Sequence, residues 1–292
     1  MTGEARFHRE QAVRRVLLLV LWMNLGLIGL KVGVWAFAHA LSVLAEVFHS
    51  SLDAANNVFA LALARVAAQG PDEDHPYGHR KFETIGALAL VGVLSVTVFE
   101  LIQQALIRLT TGESLPSTIH PWAIGLLAFS ALLGAGIARY ETRVGRRLGS
   151  HLVVADAAHT QADVLATVAV LVGLLAVRAG YPLADPVAAM AVALLIAWTG
   201  WTIVRETVPV LVDHRAVDPL RIEALAMGVE GVRSAYRIRS RGPRGERFAE
   251  LTISVDPDLD VTASHAIADA AEARISEALG ARDVVIHVEP HG

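Results

Sequence analysis

Six stretches of roughly twenty predominantly apolar residues, joined by short polar links, fix what this chain can fold into. They cover residues 16–38, 41–65, 84–109, 121–140, 152–177 and 185–204. Each is long enough to cross a hydrocarbon core of about 30 Å as a helix, and lipid admits only helices and closed barrels. The chain is 54% hydrophobic, but the clumping of those residues carries the argument. The links hold helix breakers: Gln69-Gly70-Pro71, Gly112 with Pro116, and Gly180-Tyr181-Pro182. The first run is followed by Ala38-His39-Ala40, which imitates a signal-peptidase site. It exceeds the roughly 7–15 apolar residues of a signal segment, and five more runs follow, so it reads as a retained helix.

Basic residues set the expected orientation. Arg14, Arg15, Arg65, Arg80, Lys81, Arg139, Arg143, Arg146 and Arg147 fall on one side, against Arg108 and Arg178 on the other. The positive-inside rule then places both termini in the cytoplasm of a multi-pass protein of the cell (inner) membrane. Net charge is −4 with no basic stripe, so nucleic acid is not an expected partner. Cysteine is absent, so a metal site must draw on His, Asp or Glu.

Past residue 205 the character changes. Residues 219–228 read as a short helix, 232–239 and 248–255 alternate like strands around the turn at 241–245, 262–279 reads as a helix starting at a Thr or Ser cap, and 284–288 as a last strand. The expected organisation is an all-α six-helix transmembrane domain at 1–208 and an α+β (αββαβ) domain at 209–292. The second is small enough to gain from pairing.

Ionisable groups at bilayer depth cost about 2.5–3.5 kcal/mol each on insertion scales, so each needs a reason. The second stretch holds Glu46, His49 and Asp53, with Asn56 and Asn57 beyond. The fifth holds Asp156, His159, Gln161 and Asp163. His49/Asp53 and His159/Asp163 share i,i+4 spacing, which puts each pair on one helix face. Together they offer two imidazoles and two carboxylates, a full tetrahedral set for a borderline metal such as zinc. Four protein ligands leave no open position, and no His-Glu-x-x-His helix is present, so an enzyme is not expected. The loop after the second stretch adds Asp72, His75 and His79 as a second candidate set. In the C-terminal part Glu250, His265, His287 and Glu289 are candidates, the last two alternating onto one strand face.

These residues resemble the cation diffusion facilitators, proton-coupled exporters of divalent metals. The resemblance runs through residues 44–53, through His75-Pro76-Tyr77-Gly78-His79-Arg80-Lys81-Phe82-Glu83, and through Asp156-Ala157-Ala158-His159-Thr160-Gln161-Ala162-Asp163. It continues in Ala184-Asp185-Pro186 and Val285-Ile286-His287-Val288-Glu289-Pro290. It implies a homodimer whose cytoplasmic ferredoxin-like domains pair. It also implies a transport site at His49, Asp53, His159 and Asp163, a loop site at Asp72, His75 and His79, and an ion pair between Lys81 and Asp213. Tyr236 and Thr252 stand where some two-zinc relatives have His. The cytoplasmic set Glu250, His265, His287 and Glu289 is closer to magnetosome-associated members. Zn2+ is the first expectation, with Fe2+, Mn2+, Cd2+ and Co2+ behind it, as substrate and regulator rather than cofactor, and H+ as counter-ion. The alternatives are an iron or manganese exporter of the same family and a membrane metal sensor that transports nothing.

Overall fold

The apolar stretches fold into long helices because a backbone that leaves water must satisfy its own hydrogen bonds. The computed structural model describes residues 3–38, 41–111, 121–181, 183–243 and 247–292. The expected breakers Gly112, Pro116 and Pro182 and the tip of the turn at 241–245 lie outside them. Six helices of at least 27 residues come first: α1 (Gly3–Ala38), α2 (Leu41–Ala67), α3 (Lys81–Thr111), α4 (Pro121–Leu148), α5 (His151–Arg178) and α6 (Ala184–Leu211). Among the described residues, three segments are long and apolar enough by composition to cross a membrane: His8–Leu30, Lys81–Thr111 and Ala184–Leu211. Helices α1 and α4 run past their apolar stretches, into 3–15 and 141–148. Hydropathy marks where a helix meets lipid, whereas helix ends are set by hydrogen bonding and caps.

The chain divides into two compact units, 9–207 and 208–292, the latter grouped with residues 1–8. In the first unit, Leu17, Leu90, Leu152, Val153 and Ile203 are buried between helices, while Phe99, Leu132, Leu175 and Leu194 stay exposed on the outside. Large apolar side chains facing outward around a packed interior are what a lipid solvent selects. Gly149 joins α4 to α5 with φ +59°, a left-handed turn that costs glycine least, so the two helices fold back as a hairpin. Arg9 caps that corner: its Nε donates to Leu148 O at 2.7 Å and Nη2 to Gly149 O at 3.0 Å, while Nη2 also lies 3.2 Å from Glu83. Near the other end of the helices Arg108 and the buried Asp185 pair at 2.6 Å. Gly173 makes room for that carboxylate, which a Cβ would collide with.

The second unit follows the order α7 (Pro219–Met227), β1 (Ser234–Arg241), β2 (Arg247–Val255), α8 (Val261–Leu279), β3 (Ala281–Pro290). Its strand order is β1-β2-β3, with β1 antiparallel and β3 parallel to β2. Asp218 and Asp260 cap the two helices by accepting from Leu220 N and Ala263 N. Leu251, Ile253 and Val255 alternate onto one sheet face and, with Ile222, Ala226, Ala268 and Ile275 of the helices, form the core.

Candidate metal site

Period 3.6 sets Asp53, Asn56 and Asn57 on one side of α2, and Asp156, His159 and Asp163 on one side of α5. Where these faces meet, one ligand atom from each of Asp53, His159 and Asp163 lies within 4.8 Å of the others. His159 Nε2 is 3.5 Å from Asp53 Oδ1 and 3.8 Å from Asp163 Oδ2. Ligands at about 2.0–2.2 Å around a tetrahedral ion are separated by roughly 3.3–3.6 Å, so the cluster needs little contraction to hold one. His159 is buried, and the two carboxylates are partly open. A cavity of about 400 Å³ reaches both carboxylates and is lined on its other walls by Asn24, Thr97, Glu100 and Gln104. Backbone places His49 one turn before Asp53 on α2, but its side chain, like that of Glu46, lies outside the described residues.

A second layer of polar contacts fixes the two helices in register. The Asn57 amide donates to both oxygens of Asp156 at 3.0 Å, and Asn24 of α1 donates to Asn57 Oδ1 at 2.6 Å. The Asn56 amide nitrogen sits 3.1 Å from His159 Nε2. Buried polar groups earn their place by being hydrogen-bonded, and this chain of contacts links α1, α2 and α5 immediately beside the cluster. The sequence marked Asp156, Asn56 and Asn57 as out of place in lipid without assigning them partners. Glu141 went unnoticed, although it is fully buried on α4. Its neighbours Arg139, Arg143, Arg146 and Arg147 make the segment look like an interfacial, solvated end.

The loop residues Asp72, His75 and His79 also gather within 4.8 Å. The His75 backbone N–H donates to Asp72 at 2.6 Å, and His79 Nε2 is 3.3 Å from Asp72 Oδ2. That backbone donor is the main reason the Asp72 carboxyl is held below its ordinary range, with the His79 ring adding to it. His79 Nδ1 is 3.0 Å from Gly70 O, and the two imidazole rings are 4.2 Å apart.

The four cytoplasmic candidates do not converge within one protomer. His287 Nε2 lies 3.4 Å from Glu289, whose other oxygen accepts from the Tyr236 hydroxyl. Glu250 pairs instead with Arg239 at 3.0 Å, and His265 with Asp269 at 3.6 Å on its own helix. Pleating sets His265 apart: α8 packs on the face bearing Leu251 and Ile253, whereas Glu250, His287 and Glu289 point to the opposite face. Asp213 lies 3.4 Å from Arg241, and Lys81 opens α3.

Long helices with a buried His/Asp cluster, followed by a small α/β unit, define a membrane protein built around a divalent cation. Residues 17–212 match the cation efflux transmembrane domain, and residues 217–291 the cytoplasmic domain of cation efflux proteins. The chain therefore belongs to the cation efflux family, the cation diffusion facilitators, as its motifs led us to expect. It is a membrane-embedded efflux transporter of divalent metals. The manganese efflux system protein MneP of Bacillus subtilis is 31% identical, the match covering 97% of this chain and 98% of MneP. The cation-efflux pump FieF of Klebsiella pneumoniae is 28% identical, covering 92% of this chain and 89% of FieF. A solved MamM CTD shares 27% identity, covers 25% of this chain and 92% of its own, and gives a TM-score of 0.24.

Proposed function

We propose that this protein exports Zn2+ from the cytoplasm in exchange for protons, by alternating access around Asp53, His159 and Asp163, with His49 as the fourth ligand. The observation that carries the reading is the convergence of two carboxylates and one imidazole, within 4.8 Å, from helices that belong to a cation efflux domain. Ligands must be deprotonated to hold a metal, so metal release and proton uptake are linked at the imidazoles. The reading takes α1–α6 as six spans with both termini cytoplasmic, and 1–208 and 209–292 as membrane and cytoplasmic domains. The latter is ferredoxin-like and pairs in a homodimer. Lys81 and Asp213 form the junctional ion pair, and Asp72, His75 and His79 a loop site. Glu250, His265, His287 and Glu289 bind regulatory metal once two protomers contribute.

Manganese is a second reading, favoured by the similarity to a manganese efflux protein across almost the whole chain. Carboxylates suit Mn2+ and imidazoles suit Zn2+, so the choice rests on how many imidazoles take part. Flux of Zn2+, Mn2+, Fe2+, Cd2+ and Co2+ into proteoliposomes, with a pH-sensitive dye inside, tests both. Metal uptake with opposite proton movement is expected, fastest for Zn2+. A protein that binds metal but moves none would be a sensor, and the transport reading would fall.

A further inference from the structure

We propose that Glu141, paired with Asp156 between α4 and α5, is a proton-binding site of the transporter, separate from the metal ligands. The inference rests on the proton-coupled reading above and adds a carrier to it. Both side chains are fully buried, and their carboxyls lie within hydrogen-bonding reach of each other. Two ionised carboxylates offer only acceptors, so the contact requires one proton between them. The surroundings say which side holds it. Asp156 receives the Asn57 amide on both oxygens at 3.0 Å, which suits an anion. Among the described residues no donor reaches Glu141 Oε1, and the Thr160 hydroxyl comes no nearer than 3.5 Å to Oε2, which suits a protonated acid. Among the described residues, the groups facing the pair are Thr160 and His159 of α5 and Asn57 and Asp53 of α2, with no lysine or arginine.

The position suits a carrier. Thr160, which contacts Glu141, lines the cavity that reaches Asp53 and Asp163, as does Gly134, two turns before Glu141 on α4. Thr142 and Gly145, next to Glu141 and one turn beyond it, line a second cavity of about 500 Å³ whose walls include His151 and Glu206. Glu141 is itself buried, but residues next to it and in contact with it open onto both cavities. A cation arriving at Asp53, His159 and Asp163 cancels negative charge beside Asp156. The electrostatic reason for the pair to keep its proton weakens, and the proton leaves Glu141 through whichever cavity is open to solvent; metal departure reverses the step.

The test uses the full-length protein, wild type and Glu141→Gln, with Zn2+ and Mn2+ in parallel. Infrared difference spectra of the wild type should show a protonated-carboxyl C=O band that vanishes when metal binds and is missing in Glu141→Gln. Calorimetry in buffers of different ionisation enthalpy should show that variant releasing about one proton fewer per metal, with affinity changed less than about threefold. A wild type without the band, a band indifferent to metal, or an unchanged proton count in Glu141→Gln would each overturn the proposal. Should Glu141→Gln not fold, the wild-type band decides alone. Metal flux without proton movement in the wild type would sink the proton-coupled reading itself, while the infrared result would still report on Glu141.

Discussion

Among the described residues, the helical unit holds two His/Asp clusters of the same size and nearly the same chemistry, and they are assembled in opposite ways. Asp72, His75 and His79 come from eight consecutive residues of a loop, and a backbone N–H already satisfies the carboxylate. Asp53 and His159 come from different helices, and one side of the cluster rests on a buried chain from Asn24 through Asn57 to Asp156. Local geometry makes the loop cluster tolerant, because water can replace a lost ligand. The deep cluster lies between helices beside the fully buried Asp156, and its His159 is buried, so water reaches it only through the cavity at Asp53 and Asp163. Removing one partner there leaves charge uncompensated in a poor solvent, which is the costlier error.

The sharpest way to break the comparison is to delete one carboxylate from each cluster. Asp163→Ala should reduce metal flux to the liposome background, at least about a hundredfold, with the protein still folded and of unchanged oligomeric size. Asp72→Ala should slow flux no more than about threefold, as expected of a group that water can replace. Equal losses in the two variants would show that the loop set belongs to the transport path.

A smaller effect tests the fourth ligand. His49→Asp turns a two-imidazole set into a carboxylate-rich one and should raise the Mn2+-to-Zn2+ flux ratio about tenfold. An unchanged ratio would remove His49 from the metal. Smaller again, His287→Ala should raise the metal concentration for half-maximal flux about fivefold without lowering the plateau, as regulatory coupling does. A lowered plateau with an unchanged midpoint would place His287 in folding rather than metal sensing.

The smallest effect concerns pH. The Tyr236 hydroxyl, with Arg237 and His287 behind it, holds the half-buried Glu289 carboxyl below its ordinary value of 4.5. A depressed folded value means that the contribution to stability is present above the unfolded value and is lost as pH falls through the folded one. Tyr236→Phe should therefore move the Glu289 titration, followed by NMR on the full-length protein, upward toward its ordinary value, because the largest cause of the depression is gone. An unmoved midpoint would assign the shift to the neighbouring charges.

The cytoplasmic unit shows where sequence reading stops. Alternation placed His287 and Glu289 on one strand face, and they lie 3.4 Å apart. Helix α8 was also legible, although its cap is Asp260 rather than the Thr or Ser expected at its start. Nothing in the period of either element says which sheet face the helix covers, and that choice separated His265 from His287. Glu141 was missed for a related reason. A carboxylate between arginines looks solvated until its helix is rotated against α5, which buries it completely.

The long helices, the change of character near residue 205, the i,i+4 pairs and the family are all legible in the order of the residues. All of these are periodic or local properties, written within a few turns of chain. Three-dimensional packing supplied the rest: that Asp53 meets His159 across more than a hundred residues, that Asn57 clamps Asp156, and that Glu141 is buried completely. Those meetings depend on the rotation and depth of one helix against another. Packing sets both, and no single helix carries that information in its own sequence.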